Sequence, residues 1–306
     1  MKISIIIVSW NVKSLLKQAI ESVFASQVDA EIEVVVVDSA SHDGSVAMVR
    51  DNFPQVKMID STENLGYARG NNVGVQAATG DIIFLLNPDT KLRPDTLAHL
   101  LKYLQEHPKV AAIGPKMLYG DGTAQSSRRR FPTIASLFWE STLLEQWFPQ
   151  NKTAQFYKFV DQPDTVAMPV DWLVGAALFI RREIWDSVGP LDEAMFMYFE
   201  ETDWCHRCVQ LGWQIHYVPQ AVLTHYEGQS SQQVVADRTI RFQRSKIRYA
   251  AKWIGPQVAW LVRLFLLATF AYQWLEETAK WVLGHKRALR RERMTAYWQV
   301  IRSGLV

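Results

Sequence analysis

Cysteine is scarce: the 306-residue chain has two, Cys205 and Cys208, too few for a disulfide framework. Their spacing in CHRC looks like half a zinc site or a redox pair, but there is no second pair, and both fall in an expected helix as small buried hydrophobes. Net charge is nearly absent, since 33 Lys and Arg stand against 31 Asp and Glu to leave +2; that gives no overall drive toward nucleic acid. The opening MKISIIIVSW lacks the long apolar core and cleavage site of a secretory signal, so a reducing, cytoplasmic setting is expected. Repeats and low-complexity segments are missing. So is a G-x-G-x-x-G fingerprint: Gly66, Gly70 and Gly74 have another spacing and follow the third expected strand instead of the first, which disfavours a nicotinamide-dependent oxidoreductase.

What is present is ample apolar content, 48% of residues, enough for a large packed core. Residues 3–8, 32–37, 56–59, 82–86 and 110–113 are short, β-branched runs bounded by turn residues, and read as buried parallel strands. Between them Leu15, Leu16, Ala19, Ile20, Val23 and Phe24 recur at helical spacing, as do Leu97, Leu100, Leu101 and Leu104. Alternating strand and helix predicts an α/β sheet with helices on both faces. Later, 170–180 reads as a strand with a Gly-Ala break, 199–211 as a helix and 213–218 as a further strand, with His225 in a polar connection after it.

In such sheets ligands bind beyond the carboxyl ends of the strands, and here those ends are polar. Strand one ends in Ser9-Trp10-Asn11, strand two in Asp38-Ser39-Ala40-Ser41, and strand four in Asn87-Pro88-Asp89. Asn-Pro-Asp-Thr is also ordinary turn chemistry, so Asp89 stands between turn residue and ligand contact. NLGYARGNNVG reads as a loop leading into a helix whose backbone amides and Arg69 face phosphate, or as a Gly-assisted turn. Glu200, Glu201 and Asp203 open a helix, where the dipole favours carboxylates in any case. Residues 200, 203 and 207 share a face, so Glu200 or Asp203 can pair with Arg207, while Glu201 points about 100° away. His225 with Asp89 makes an oxygen-and-imidazole pair suited to Mn²⁺ or Mg²⁺.

IIIVSWN (5–11), VVVDSASHDGS (35–45), NLGYARGNN (64–72), LLNPDT (85–90), VDWLVGAALFIRREIWDSVGPLDEAMFMYFEETDWCHR (170–207) and VLTHYEG (222–228) occur in this order. Taken together they resemble the family 2 inverting glycosyltransferases of GT-A fold, and particularly their bacterial rhamnosyltransferase-like branch. The resemblance covers about residues 1–250. It implies a Rossmann-like, mostly parallel mixed sheet, with a nucleotide-sugar half (1–115) and an acceptor half (116–250). It implies that Ser9, Asn11 and Asp38 hold the base of a dTDP- or UDP-linked sugar, and that Arg69 faces its diphosphate or sugar. Asn87, Trp172 and Gly175 join these contacts. Asp89 meets the diphosphate through a divalent cation, with His225 as the second protein contact. Glu201, with Glu200 and Asp203 as alternatives, takes the proton from the hydroxyl of a glycan or lipid-linked acceptor. Two departures stand out: Asn87 where the family often has the first Asp of Asp-x-Asp, and Glu201 where many relatives have Asp. A non-catalytic sugar-nucleotide or glycan binding protein is the competing reading.

Beyond residue 250 a helical extension is expected. Residues 258–275 are apolar apart from Arg263, Thr269 and Gln273. Eighteen residues fall short of the roughly 20 that span a bilayer, and a central Arg costs about 2.5–3.5 kcal/mol there. Residues 280–306 carry seven Lys or Arg against Glu292, a local +6 that leaves the first 279 at −4. An interfacial helix on an anionic membrane surface is therefore expected at the cytoplasmic face, with packing on the domain or in a homo-oligomer as the other outcome.

Overall fold

The computed structural model describes residues 1–226 and 235–306. The chain forms two compact units. One comprises Met1–Phe131, Lys158–Phe196 and residues 200–226; the other comprises Pro132–Tyr157, Met197–Phe199 and residues 235–306. The second unit thus takes in more than the expected tail, because a single helix, Val235–Trp253, runs through residue 250.

The first unit holds β1 (Lys2–Ser9), β2 (Glu31–Ser39), β3 (Lys57–Ser61), β4 (Ile82–Leu86), β5 (Thr90–Leu92), β6 (Val110–Leu118), β7 (Ala124–Gln125), β8 (Arg128–Arg129), β9 (Met168–Val170), β10 (Trp172–Leu173), β11 (Ala177–Arg181) and β12 (Gln214–His225). The main sheet runs β3-β2-β1-β4-β11-β6-β12-β5, with β7 on β6 and β9 on β12, while β8 and β10 form a separate ribbon. β3, β2, β1 and β4 are parallel, and β11 enters antiparallel between β4 and β6. Ile3, Ile5, Ile6 and Ile7 are fully buried: both faces of β1 are covered, which is why its apolar run does not alternate. Leu16, Ile20 and Val23 from one helix and Leu97, Leu100 and Leu104 from another pack into the same core.

Three expectations change. The run 170–180 breaks at Val174–Ala176, around the expected Gly-Ala pair, but its halves join different sheets: β10 pairs with β8 and β11 turns back along β4. The strand expected at 213–218 continues to His225, which therefore ends a strand instead of lying in a connection. The segment read as a loop leading into a helix, or as a Gly-assisted turn, is already helical from its first glycine, Gly66–Ala77. Its glycines recur every four residues, so Gly70 and Gly74 share a face turned to β1. A Cβ on Gly70 would meet Val8 Cγ1 at 2.7 Å, and one on Gly74 would meet Ile6 Cγ2 at 2.3 Å. Gly74→Ala is expected to destabilise the protein by about 1–3 kcal/mol through overpacking, read as a lower denaturation midpoint; an unchanged midpoint would show that the helix can lift off β1.

The second unit is helical. Val262, Leu266 and Phe270 of Pro256–Val282 pack with Leu137, Ala250 and Val300. Lys246 is wholly buried, donating from Nζ to the carbonyls of Glu140 and Leu137, and burial pulls its ammonium pKa down.

Candidate active site

The polar strand ends converge on one edge of the first unit. Parallel register puts Ser9 beside Asp38, and Asp38 beside Asp60. Asn11 and Ala40, just past β1 and β2, take left-handed φ of 52° and 60°, conformations that cost energy for Ala and mark a constrained edge. Asn11 receives a 2.8 Å hydrogen bond on Oδ1 from His42 N, and its own N–H donates to Ser41 Oγ at 2.9 Å. The two strand ends are thereby tied into one wall.

Asp38 is completely buried and accepts from Ser41 N at 2.7 Å through Oδ2. Its Oδ1 and the neighbouring Ser9 and Ser39 hydroxyls are buried without a hydrogen bond. Groups of that kind are costly unless a ligand completes them. Burial pushes the Asp38 carboxyl up, opposed by the Ser41 hydrogen bonds and reinforced by the Asp60 and Asp43 charges. A carboxyl raised on folding makes the folded state bind its proton more tightly, so stability falls as pH rises from the ordinary value of 3.8 through the folded one. Asp38→Asn is therefore expected to raise Tm at pH 7 by about 2–4 °C, a gain that shrinks as pH is lowered toward 4. Melting curves across that range check it, and a lower Tm at pH 7 would contradict the account.

Strand four leads into the second wall. Asn87 N–H donates to Ala176 O at 2.9 Å and its carbonyl accepts from Thr90 Oγ1 at 2.7 Å, so the Asn-Pro-Asp-Thr turn is fastened to the break before β11. β12 runs antiparallel to β5 with His225 opposite Thr90, and Tyr226 N–H bonds Asp89 O at 2.8 Å. This brings Asp89 Oδ1 to 3.3 Å from His225 Nε2, with both side chains about 6% exposed. Neither atom makes a hydrogen bond. His225 Nδ1 lies 2.9 Å from Gln125 Oε1; in the tautomer that donates Nδ1–H to this amide oxygen, the Nε2 lone pair faces the carboxylate. Two acceptors face to face are relieved by a proton or a cation. The donor set, one carboxylate oxygen and one imidazole nitrogen oriented by an amide behind it, fits Mn²⁺ or Mg²⁺. Among the described residues no cluster of three such ligands exists, which leaves coordination positions for phosphate oxygens and water.

The third wall is the helix Glu200–Gln210, entered through Tyr198 and Phe199 at φ of 70° and 67°. Its three carboxylates are placed differently. Asp203 is fully buried and paired with Arg207 Nε at 3.1 Å, and that guanidinium also bonds the carbonyls of Val188 and Pro190. Glu200 is buried, and burial together with the Glu201 charge pushes its carboxyl well up. Glu201 accepts from Gly175 N–H at 3.3 Å, one residue from the Ala176 carbonyl that holds Asn87.

Other expected contacts lie elsewhere. Arg69 is exposed on its helix and paired with Glu63 at 2.7 Å. Trp172 is buried in the small ribbon, its indole N–H donating to Arg130 O at 2.9 Å. A cleft of about 580 Å³, lined by Met1, Lys2, Glu31 and Asp81 among others, opens at the amino ends of β1 and β2. It lies at the opposite end of these strands from the polar edge. Tyr67, whose hydroxyl donates to Gly175 O, has no counterpart among the sequence candidates; four-residue glycine spacing was the signal that its segment is a helix.

Comparison with known proteins agrees with this architecture. N-acetylglucosaminyl-diphospho-decaprenol L-rhamnosyltransferase of Mycobacterium tuberculosis is 27% identical over 248 residues, covering 76% of this chain and 80% of its own. Rhamnosyltransferase WbbL of Escherichia coli is 28% identical over 197 residues, 61% of this chain and 70% of its own. Among solved structures, the mannosyltransferase PcManGT of Pyrobaculum calidifontis, in complex with GDP-Man and Mn²⁺, superposes with a TM-score of 0.55 at 17% identity, over 98% of this chain and 84% of that one. GalNAc-T7 with UDP, GalNAc and Mn²⁺ gives 0.61 at 17%, over 83% and 48%; both show a shared GT-A-like fold. The sequence pattern of Glycosyl transferase family 2 matches residues 4–169, more than half of the chain, and the chain belongs to that family.

Proposed function

We propose that this glycosyltransferase moves a sugar, rhamnose or another hexose, from a dTDP- or UDP-linked donor to a glycan or lipid-linked acceptor, inverting the anomeric centre in a single displacement. The observation that carries the reading is the Asp89–His225 pair, joined through Asn87, Ala176 and Gly175 to the Glu201 carboxylate. Ser9, Asn11 and Asp38 hold the nucleoside, the orphaned Ser9 hydroxyl and Asp38 Oδ1 taking its hydrogen bonds. Arg69 turns from Glu63 to the donor. Asn87 and Gly175 shape the sugar end. Asp89 and His225 hold Mn²⁺ or Mg²⁺, which when bound neutralises charge growing on the diphosphate leaving group. Glu201 receives the acceptor proton as its oxygen attacks. The rhamnosyltransferase names of the relatives and the Mn²⁺ and nucleotides of the structural neighbours support this assignment. A screen of nucleotide sugars for hydrolysis and thermal stabilisation, with and without Mn²⁺, tests it. Stabilisation and turnover that require the metal are expected; donor binding indifferent to Mn²⁺ with no turnover would favour the non-catalytic binding reading that Asn87 raises.

The second unit adds a membrane-facing surface to this reading. Pro256–Val282 is long and apolar enough to cross a membrane by length and composition. One of its faces packs in the helical core, and Glu277 is buried against Arg290 at 2.8 Å, an ion pair costly to carry into hydrocarbon. The opposite face exposes Trp260, Leu261, Leu264, Tyr272 and Leu275. Helix Arg287–Ser303 adds exposed Arg287, Arg291 and Arg293. An in-plane, peripheral contact with anionic lipid at the cytoplasmic face follows. Since truncation would remove core residues, the informative variant is Trp260→Glu with Leu264→Glu. It is expected to release the protein from vesicles containing anionic lipid while leaving its melting temperature intact; retained binding would sink the surface assignment.

A further inference from the structure

We propose that Tyr67 is a positioning residue for Glu201, acting through the backbone of Gly175; this rests on Glu201 being the base. The Tyr67 hydroxyl donates to the Gly175 carbonyl, and the N–H of the same residue donates to Glu201 Oε1 at 3.3 Å. Fixing one end of Gly175 fixes the direction in which its N–H points. The packing is close on both sides: a Cβ built on Gly175 would lie 3.1 Å from Tyr67 Oη, 3.4 Å from Cζ and 3.5 Å from Glu201 Cδ. The phenol, the glycine and the carboxylate therefore form one stack.

The phenol is itself held from behind. Tyr67 N–H donates to Phe196 O at 2.9 Å, four residues before Glu200. Gly66 permits this approach, since it has φ of +71° and a Cβ there would sit 2.6 Å from Phe196 O. The first turn of one helix is thus anchored to the lead-in of the helix that bears the base. Burial, with the charges of Glu200 and Glu201, keeps the Tyr67 phenol protonated well beyond its usual range, so it remains a donor. Ala176, next in the chain, accepts from Asn87, and the same stack sets the spacing between the base and the Asp89 turn. An N–H aimed at Glu201 stabilises its carboxylate form, the form that accepts a proton.

Tyr67→Phe keeps the ring and removes the donor. Its expected effects are a kcat lower by about 10–100-fold, an acid limb of the pH–rate profile moved to higher pH, and unchanged donor affinity. In ¹⁵N-glycine-labelled protein the Gly175 amide resonance shifts and exchanges faster. Gly175→Ala, which displaces the stack from the other side, lowers kcat in the same direction, and the double variant loses less than the two single effects combined. A folded Tyr67→Phe protein with unchanged kcat and acid limb overturns the proposal, and so does a change confined to the donor KM. Should Glu201→Gln prove fully active, the base reading has failed, and the Gly175 amide still reports on Tyr67: an unshifted resonance shows that the phenol does not fix this backbone.

Discussion

Glu201→Gln is expected to lower kcat by about 10²–10⁴-fold, the usual contribution of a positioned general base, with donor affinity unchanged. The amide matches the carboxylate in shape and can still accept from Gly175 N–H through its oxygen, so the 3.3 Å contact survives while proton acceptance does not. Neighbouring carboxylates serve as internal controls. Glu200, buried and with its carboxyl pushed up by burial and by the Glu201 charge, is the poorer proton acceptor at this helix start, and Glu200→Gln is expected to retain most activity. Asp203→Asn weakens the 3.1 Å pair with Arg207 and is read chiefly as lost stability, because a half-buried guanidinium loses its charged partner and keeps only the Val188 and Pro190 carbonyls. Steady-state kinetics with an identified acceptor separate the three. Were the Glu200 variant inactive and the Glu201 variant active, the base would have to be moved by one residue.

Much of this edge was legible in the sequence because apolar runs locate strand ends within a residue or two, and the polar residues after them are few. Ser9, Asp38 and Asp89 follow from that alone. Helical angle separates Glu201 from Asp203, since Asp203 lies four residues before Arg207 on one face and pairs with it, while Glu201 is turned off that face. What stayed hidden depends on contacts between distant segments. His225 looked like a loop residue because Pro219 and Gln220 interrupt the apolar pattern, yet β12 passes that point with a register shift against β6 and continues along β5. Tyr67 was unreadable without knowing that Gly175 lies against it. Trp172 was expected among the donor contacts, but it is buried and its indole N–H is already committed to Arg130 O. The second unit draws 132–157 together with the C-terminal helices, an association that no local periodicity encodes.

Asp89→Ala is expected to abolish the Mn²⁺-dependent part of donor binding and to lower kcat by about 10²–10³-fold, as loss of a preorganised electrostatic contact does. The argument is local. Removing the carboxylate leaves His225 Nε2 as the remaining member of the pair, and the backbone links that shape the turn, Asn87 to Ala176 and Tyr226 to Asp89 O, persist because they do not use the side chain. His225→Ala leaves the charged ligand in place and costs less. Gln125→Ala frees the ring and weakens metal affinity by about 10–100-fold, the usual effect of losing an orienting partner. Titration of Mn²⁺ followed by nucleotide-dependent thermal stabilisation ranks the three variants; Asp89→Ala with unchanged metal dependence would remove Asp89 from the metal site. The neighbouring position gives the opposite sign. Asn87 is fixed through its backbone N–H and carbonyl, so Asn87→Asp adds a second carboxylate without disturbing the turn and is expected to tighten Mn²⁺ binding. If that variant binds Mn²⁺ more tightly but turns over more slowly, the asparagine is retained for its contact with the sugar, and the chain's departure from Asp-x-Asp tunes release of the diphosphate instead of marking lost chemistry.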